Sequence, residues 1–483
     1  MDTRPPRLWL NLFASQAHPE WGLREQLCAT LRSSIRDGQL ELDERLPSTR
    51  ALALDLGISR VTVEAAYAQL EVEGYLRRHV GHGSFVAIDM ARPGAPPARA
   101  AAPLVVPATL SARGQRMVDS GGCVEPTRLQ AFAAGSPDLR AFPHAVWRQL
   151  LNRRLRGDTA ELMRYGDPQG RADLRESIAH YLVHTRGVAT APEQVLVLTS
   201  SQQALQLLAT TLLNEGDVVW MEEPGYRGAA TAFVSAGARL VHVPVDAEGM
   251  LPDPSLPVPK LIYLTPSHQY PTGATLSLQR RLAFIAYALQ HGAWILEDDY
   301  DSAFIYEGRA SPALQGLDSS GRVVYIGTFS KTLYPSLRVA YAVLPPGLVA
   351  PLVTARSIYD GHVSQLSQAV TADFMAMGHF AAHLRLMRQL YSSRHALLLE
   401  ALQRKLPWAR PVPSVGGLQL SVLLPAGSEA RLTRQAAAMG IATPSLGALY
   451  QAGRQVDGWI LGFAALQPEE IRAAVDALAR LKP

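Results

Sequence analysis

The chain has 483 residues, 48% of them hydrophobic and 18% charged, with a formal net charge of +4. That length calls for two or three domains with an ample core, and no apolar run approaches a membrane span or, at Leu8–Ala14, the core of a signal peptide. Two distant cysteines, Cys28 and Cys123, argue against a disulfide framework or a cysteine metal cluster and fit a reducing, cytoplasmic setting.

In chain order, Leu23, Leu27, Leu31 and Ile35 recur at helical spacing, with Gly38 placed to close the helix. Ser48 caps a second helix that stops at Gly57. Ser59 caps a third, with Val63, Ala66, Tyr67 and Leu70 turned inward and Gly74 past its end. Tyr75–Arg78 and Ser84–Val86 read as two short strands around His79-Val80-Gly81-His82-Gly83. Two helices joined by a tight turn and followed by a hairpin describe a winged helix-turn-helix, expected over residues 19–87.

The net charge is too small to argue for nucleic acid, and residues 1–90 contain no lysine. The placement of arginines carries that argument instead. Ser59, Arg60 and Thr62 crowd the first turn of the third helix, where free backbone N–H groups and the helix dipole also favour phosphate. Recognition helices contact base edges with their N-terminal residues, and arginine is the commonest reader of guanine. Arg50, and Gly81-His82 at the wing tip, would add backbone and minor-groove contacts. A three-helix packing module with solvated arginines is the alternative. The stretch LPSTRALALDLGISRVTVEAAYAQLEVEGYLRRHVGHGSFV, residues 46–86, resembles the DNA-binding domain of GntR-type bacterial regulators. By that resemblance Arg50, Ser59, Arg60, Thr62 and Gly81 are DNA-contact positions.

Residues 88–127 read as a linker rich in Pro and Ala, an extended and semi-rigid spacer that would let the DNA-binding unit reach a partner subunit. Over 128–483, helical patterns alternate with short strands at Val195–Leu198, Val218–Met221, Leu261–Leu264, Ala293–Leu296 and Val323–Ile326. That alternation indicates an α/β domain around a mostly parallel sheet, with ligands beyond the carboxyl ends of its strands.

The unusual residues collect at those ends. Thr199-Ser200-Ser201-Gln202 forms a hydroxyl-rich turn into a helix, suited to phosphate. Glu222-Glu223-Pro224-Gly225-Tyr226 forces a turn that frees Tyr226 to stack on a flat ring. Glu297-Asp298-Asp299-Tyr300 places three carboxylates at a buried strand end, costly unless one has a cationic or metal partner. A metal is disfavoured because no nearby histidine or fourth carboxylate clearly joins. The partner expected for Asp298 is a protonated pyridine nitrogen, with Tyr300 at the ring hydroxyl. Finally Lys331 stands at the mouth of the strand Val323–Ile326, where poor solvation favours the neutral, nucleophilic amine. Thr328, Ser330 and Arg338 flank it. An amine, an arginine and hydroxyls on one loop suit an aldehyde that carries a phosphate, pyridoxal 5′-phosphate (PLP).

The phrases FAAGSPDLRAFPHAVW, YGDPQG, EEPGY, PSHQYPTG, EDDYDSAF and GTFSKTLYPSLRVAY resemble fold-type I PLP-dependent aminotransferases. Joined to a GntR-type reader, they resemble the MocR/PdxR subfamily of transcriptional regulators. The resemblance implies that Lys331 forms the internal aldimine, Asp298 meets the ring nitrogen and Tyr300 the ring hydroxyl. It implies that Tyr226 stacks on the ring, that Ser200, Ser201, Gln202, Thr328 and Arg338 hold the phosphate, and that Tyr165 reaches the phosphate of a neighbouring subunit in a homodimer.

Three departures stand out. Tyr270 replaces the asparagine that tunes the ring hydroxyl in aminotransferases, a loss the subfamily shares. Ser200 stands where glycine is usual. Ile460, in Trp459-Ile460-Leu461-Gly462-Phe463-Ala464, replaces the arginine that grips a substrate α-carboxylate, unless Arg227 or Arg454 substitutes. The expectation is therefore a regulator that is not an enzyme, signalled by PLP or by an amine forming an external aldimine with it. Vitamin B6 metabolism is a candidate theme. An active aminotransferase with an accessory DNA-binding domain is the alternative, and a DNA-binding protein with a dead dimerisation scaffold a third reading.

Overall fold

The computed structural model describes residues 6–15, 18, 20–79, 82–88, 109–123, 130–157, 159–306, 308, 311–451, 453 and 456–483. Gly81, Arg454 and most of the Pro/Ala-rich stretch lie outside them. The chain divides into two compact units, Met1–Ala108 and Thr109–Pro483.

The first unit comprises α1 (Pro6–Ser15), α2 (Leu23–Arg36), α3 (Thr49–Leu56), α4 (Arg60–Val72), β1 (Leu76–His79) and β2 (Gly83–Val86). The capping residues act as their chemistry requires. Ser48 Oγ accepts the N–H of Ala51 at 3.2 Å, Ser59 Oγ accepts that of Thr62 at 3.1 Å, and Gly57 closes α3 with φ at 66°. The core gathers Leu27, Leu31, Ile35, Leu52, Val63, Ala66 and Leu70 around Tyr67, whose hydroxyl donates to the Pro47 carbonyl at 2.9 Å. Leu23, the first residue of the expected apolar stripe, is instead 51% exposed. β1 and β2 pair antiparallel from Leu76 with Val86 to His79 with Gly83, which makes the wing. Helix α1 was not foreseen; its Trp9 is buried in the same core.

The second unit begins with α5 (Ala112–Asp119), a helix inside the stretch read as linker. Then follow α6 (His144–Arg156), α7 (Thr159–Met163), α8 (Ala172–Arg186), β3 (Val195–Leu198), α9 (Ser201–Leu212), β4 (Val218–Glu223), α10 (Arg227–Ser235), β5 (Arg239–Asp246), β6 (Gly249–Met250), β7 (Leu261–Leu264), α11 (Leu278–His291), β8 (Trp294–Asp299), β9 (Val323–Thr328) and β10 (Ala340–Val343). The strands form one sheet in the order β3-β10-β9-β8-β7-β4-β5-β6. β5, β4, β7, β8 and β9 run parallel, while β10 is antiparallel to both β3 and β9. The sheet is thus mixed.

Alternation along the strands feeds separate cores on the two faces of the sheet. Leu196, Leu198, Ile326 and Ala342 join the apolar side chains of α9, whereas Val195, Val197, Tyr325 and Val343 join those of α8. The chain ends with α12 (Pro346–Tyr359), α13 (Gln365–Ala376), α14 (His379–Lys405), β11 (Arg410–Pro411), β12 (Gln419–Leu423), α15 (Glu429–Ala438), β13 (Gly458–Gly462) and α16 (Pro468–Leu478). The last three strands make a separate antiparallel sheet. Among the described residues no helix is long and apolar enough to cross a membrane.

Candidate nucleic-acid interface and cofactor site

At the start of α4, Ser59, Arg60 and Val61 are exposed and Thr62 is half-buried, its hydroxyl 2.8 Å from that of Ser59. Arg50 on α3 and His82 on the wing are exposed as well. Other arginines of this unit are committed: Arg32 to Glu73 at 2.6 Å, Arg78 to Glu64 at 2.7 Å and Arg77 to Asp43. Arg50 and Arg60 have no acidic partner among the described residues, so both guanidinium groups are available to an external anion. Val61, 77% exposed between Arg60 and Thr62, had drawn no attention in the sequence. An apolar side chain at that place suits a thymine methyl.

In the second unit, strand register brings the phosphate-binding candidates together. Ala340 of β10 pairs with Leu198 of β3 on one side and with Thr328 of β9 on the other. The turn Thr199-Ser200-Ser201, the Thr328 hydroxyl and Arg338, two residues before Ala340, therefore share one edge of the sheet. Ser200 caps α9 by accepting the Gln203 N–H at 3.1 Å, which leaves the N–H groups of Ser201 and Gln202 for an anion. Gln202 donates to the Gly228 carbonyl at 2.8 Å, tying this turn to the start of α10. Thr328 Oγ1 accepts the Ser330 N–H at 3.1 Å. Arg338 is exposed, lacks an acidic partner among the described residues, and holds a left-handed backbone (φ 54°) that costs a non-glycine residue about 1–3 kcal/mol. The turn is braced from behind: Thr199 donates to Gln203 Oε1 at 2.8 Å, Gln203 donates to Asp360 at 2.9 Å, and Asp360 pairs with buried Arg356.

The three carboxylates at the end of β8 meet three different fates. Glu297 accepts the backbone N–H groups of Leu314 and Gln315, each at 2.8 Å. Burial alone would raise Asp299, but Arg186 at 3.0 Å, with bonds from Ser302 and Tyr325, holds it below the ordinary value. Asp298 receives only the Tyr263 hydroxyl, at 2.8 Å on Oδ2, and its Oδ1 is buried with no hydrogen-bond partner. Burial pushes its pKa up to about 7. A buried carboxylate oxygen without a donor is costly, and a protonated ring nitrogen would supply the missing donor.

Lys331 follows β9, half-buried, and Asp298 and Asp301 both feel its charge. Gly135, from the FAAGSPDLR phrase, lies so close that a Cβ there would stand 2.9 Å from Lys331 Nζ, and its φ of 74° independently favours glycine. Tyr226, Tyr270 and Tyr300 form an aromatic wall, with Tyr226 and Tyr270 edge to face at 5.7 Å and Tyr270 and Tyr300 at 6.1 Å. The residues present fit PLP: a lysine amine, an orphaned acid, a stacking aromatic, and a turn offering N–H groups, hydroxyls and an arginine.

Two findings run against the sequence reading of this region. A histidine and a fourth carboxylate do join Tyr300: His268 Nδ1 lies 2.9 Å from Asp301 and 3.2 Å from the Tyr300 hydroxyl. They pair with each other, and among the described residues no group of three or more potential ligands is arranged for a metal. His268 sits within PSHQYPTG, yet 33 residues separate it from Asp301, so no local spacing rule exposed the pair. Further along, α5 is docked: Arg116 pairs with Glu215 at 3.1 Å, and Cys123 Sγ lies 3.5 Å from the Tyr226 hydroxyl. Tyr165 is 99% exposed, touching the His362 ring edge-on at 6.0 Å.

Ile460 is 1% exposed in an apolar cluster with Leu446 and Leu449, flanked by Ala134, Tyr270 and Tyr450. Arg227 is exposed.

The buried acids set a pH dependence. Asp298 and Glu222 are both raised to about 7, chiefly by burial. A carboxyl that holds its proton more tightly when folded contributes stability below its ordinary value near 4, and that contribution is lost as pH rises toward 7. The melting temperature of the cofactor-free protein is therefore expected to fall by roughly 2–5 °C between pH 5 and pH 8. Asp298→Asn, which retains the shape without the titrating proton, is expected to remove about half of that slope; equal slopes in thermal melts would refute the assignment.

Together these features define a winged-helix DNA reader joined to a body of aminotransferase type. Residues 131–478 match aminotransferase class I and II, and residues 23–86 match the bacterial regulatory proteins of the gntR family. The chain is 41% identical to the "probable rhizopine catabolism regulatory protein MocR" of Rhizobium meliloti, across 94% of this chain and 93% of that protein. It is 28% identical to the "HTH-type pyridoxine biosynthesis transcriptional regulator PdxR" of Corynebacterium glutamicum, across 95% and 96%. Among solved structures, the α-aminoadipate aminotransferase LysN of Thermus thermophilus superposes with a TM-score of 0.68 at 30% identity, over 77% of this chain and 94% of that one. The chain belongs to the MocR-type transcriptional regulators of the GntR family, which carry an aminotransferase class I and II domain.

Proposed function

We propose that this regulator binds PLP covalently at Lys331 and reads out either the occupancy of that site or an amine that reaches it. The observation that carries the reading is the orphaned, buried Asp298 Oδ1 in a site that also holds the Lys331 amine. Bound there, PLP supplies an electrophilic aldehyde on an electron-withdrawing ring. Lys331 offers the nucleophilic amine, Asp298 accepts the ring N–H, Tyr226 covers one ring face and Tyr300 addresses the ring hydroxyl. Ser200, Ser201, Gln202, Thr328 and Arg338 receive the phosphate. Tyr165, almost fully exposed, would reach the phosphate of a second subunit. For a signal to pass, the ligand must bind one arrangement of the protein better than another, and only that difference in affinity shifts the populations on DNA.

The apolar cluster around Ile460 argues for PLP itself, or an amine without an α-carboxylate, as the signal. Among the described residues that cluster is apolar, so a carboxylate placed against it would lose its water without a charged partner there. If PLP is the signal, control of vitamin B6 metabolism follows. The alternative, a working aminotransferase, draws on the complete Lys331, Asp298 and Tyr300 set and on the 32% identity to a 2-aminoadipate transaminase of Thermus thermophilus. The experiment is a spectral titration of PLP-loaded protein with simple amines and with α-amino acids, alongside retention of DNA in a gel. Perturbation of the visible band by amines at concentrations at least ten times below those of α-amino acids is expected. Steady turnover of an α-amino acid with a keto acid would instead establish the transaminase reading.

A further inference from the structure

We infer that His268, locked by Asp301, is a positioning residue that directs the Tyr300 hydroxyl at the ring hydroxyl of the cofactor, in place of the asparagine missing at Tyr270. This rests on the PLP reading above and names a residue to which the family resemblance assigned no task.

The geometry leaves little freedom to the protons. Ser414 donates its hydroxyl proton to the Gly416 carbonyl at 3.0 Å, so its oxygen, 2.9 Å from His268 Nε2, accepts from that nitrogen. On the other side, Nδ1 faces both Asp301 oxygens at 2.9 and 3.1 Å, which again calls for an N–H. Burial disfavours the charged ring, but the Asp301 carboxylate outweighs it and holds the imidazole above the usual histidine range. His268 thus places a positive ring, its Nδ1 proton committed to Asp301, 3.2 Å from the Tyr300 oxygen. A protonated Nδ1 cannot accept from the phenol, and Tyr300 has no other hydrogen-bond partner among the described residues, so its O–H is free to donate into the site. The imidazole is held tightly: a Cβ at Gly417, whose φ is 93°, would stand 2.3 Å from His268 Cε1.

The charged and titratable groups around the pair are few. Asp301, Asp299 and Tyr300 surround His268, while Asp301, Tyr270, Asp298 and Glu222 surround Tyr300. Apart from His268, all of them are acids or phenols; Lys331 adds its charge near Asp298 and Asp301. A phenol donating to the ring oxygen, backed by a positive charge, favours the deprotonated chromophore. Removing that charge must raise the pH at which the chromophore titrates.

The test is the pH titration of the visible band of PLP-loaded, full-length protein. Each of His268→Gln and Asp301→Asn is expected to raise the midpoint by about one pH unit, since a hydrogen bond to a charged group is worth about 1.5–3 kcal/mol. In a Tyr300→Phe background, His268→Gln is expected to move the midpoint by less than a third of that shift. Midpoints unchanged in both single variants, or a full shift without the Tyr300 hydroxyl, would overturn the inference while leaving PLP binding intact. A wild-type protein that never develops the band would remove the reading beneath it.

Discussion

Lys331→Ala protein supplied with PLP is expected to stay without the visible band that the wild type develops, and to lose apparent affinity by on the order of 100-fold. The side chain contributes the only covalent bond proposed for the cofactor, and alanine deletes the nucleophile. The rest of the receptacle survives the change: the Ser200 turn, Arg338, Tyr226 and the orphaned Asp298 oxygen do not depend on the lysine for their positions. Weak, colourless binding should therefore persist and be measurable by competition. Because Nζ packs against Gly135 rather than into an apolar core, the melting temperature should change little. A band of wild-type intensity in the variant would defeat the covalent reading. Any effect of PLP on DNA retention should disappear with the band if the aldehyde is the sensed group.

Arg60→Ala is the second large effect. Arg60 opens α4, exposed and without an acidic partner among the described residues, above a serine cap whose chemistry also suits phosphate. If it reads a base edge, its loss costs about 1–3 kcal/mol, roughly 5–150-fold in Kd, and relaxes the preference at one position of the site. If Arg50 on the preceding helix contacts the backbone, Arg50→Ala should weaken binding evenly across sequences and lower the slope of log affinity against log salt by about 1. DNA selected from a random pool by the full chain, followed by anisotropy at several salt concentrations, separates the two. Equal losses on all sequences for Arg60→Ala would demote it to a phosphate contact.

Most residues of the candidate site stand out in the sequence because they sit at the ends of buried strands, where glycine and hydroxyl residues interrupt apolar runs. Caps at Ser48 and Ser59 were legible for a similar reason, since capping is a local interaction. What escaped depends on contacts distant in sequence. β5 was overlooked because Pro244 breaks its alternating pattern, a residue that ordinarily demotes a strand. β10 is four residues long, and its pairing with β3 and β9 is visible only in three dimensions. β12 and β13 are neighbours although a helix and a long loop separate them in the chain. His268 met Asp301 by the same route.

The brace behind the phosphate turn has a mechanical consequence. Thr199, Gln203 and Asp360 form a continuous bonded line, and Asp360 lies two residues before His362, the ring on which Tyr165 rests. In the proposed dimer, an anion seated on the turn steadies the very tyrosine offered to the second subunit. Loading and pairing then reinforce one another, and the reinforcement must be equal in both directions: dilution that separates the subunits should loosen the cofactor by the same factor that removing the cofactor loosens the dimer.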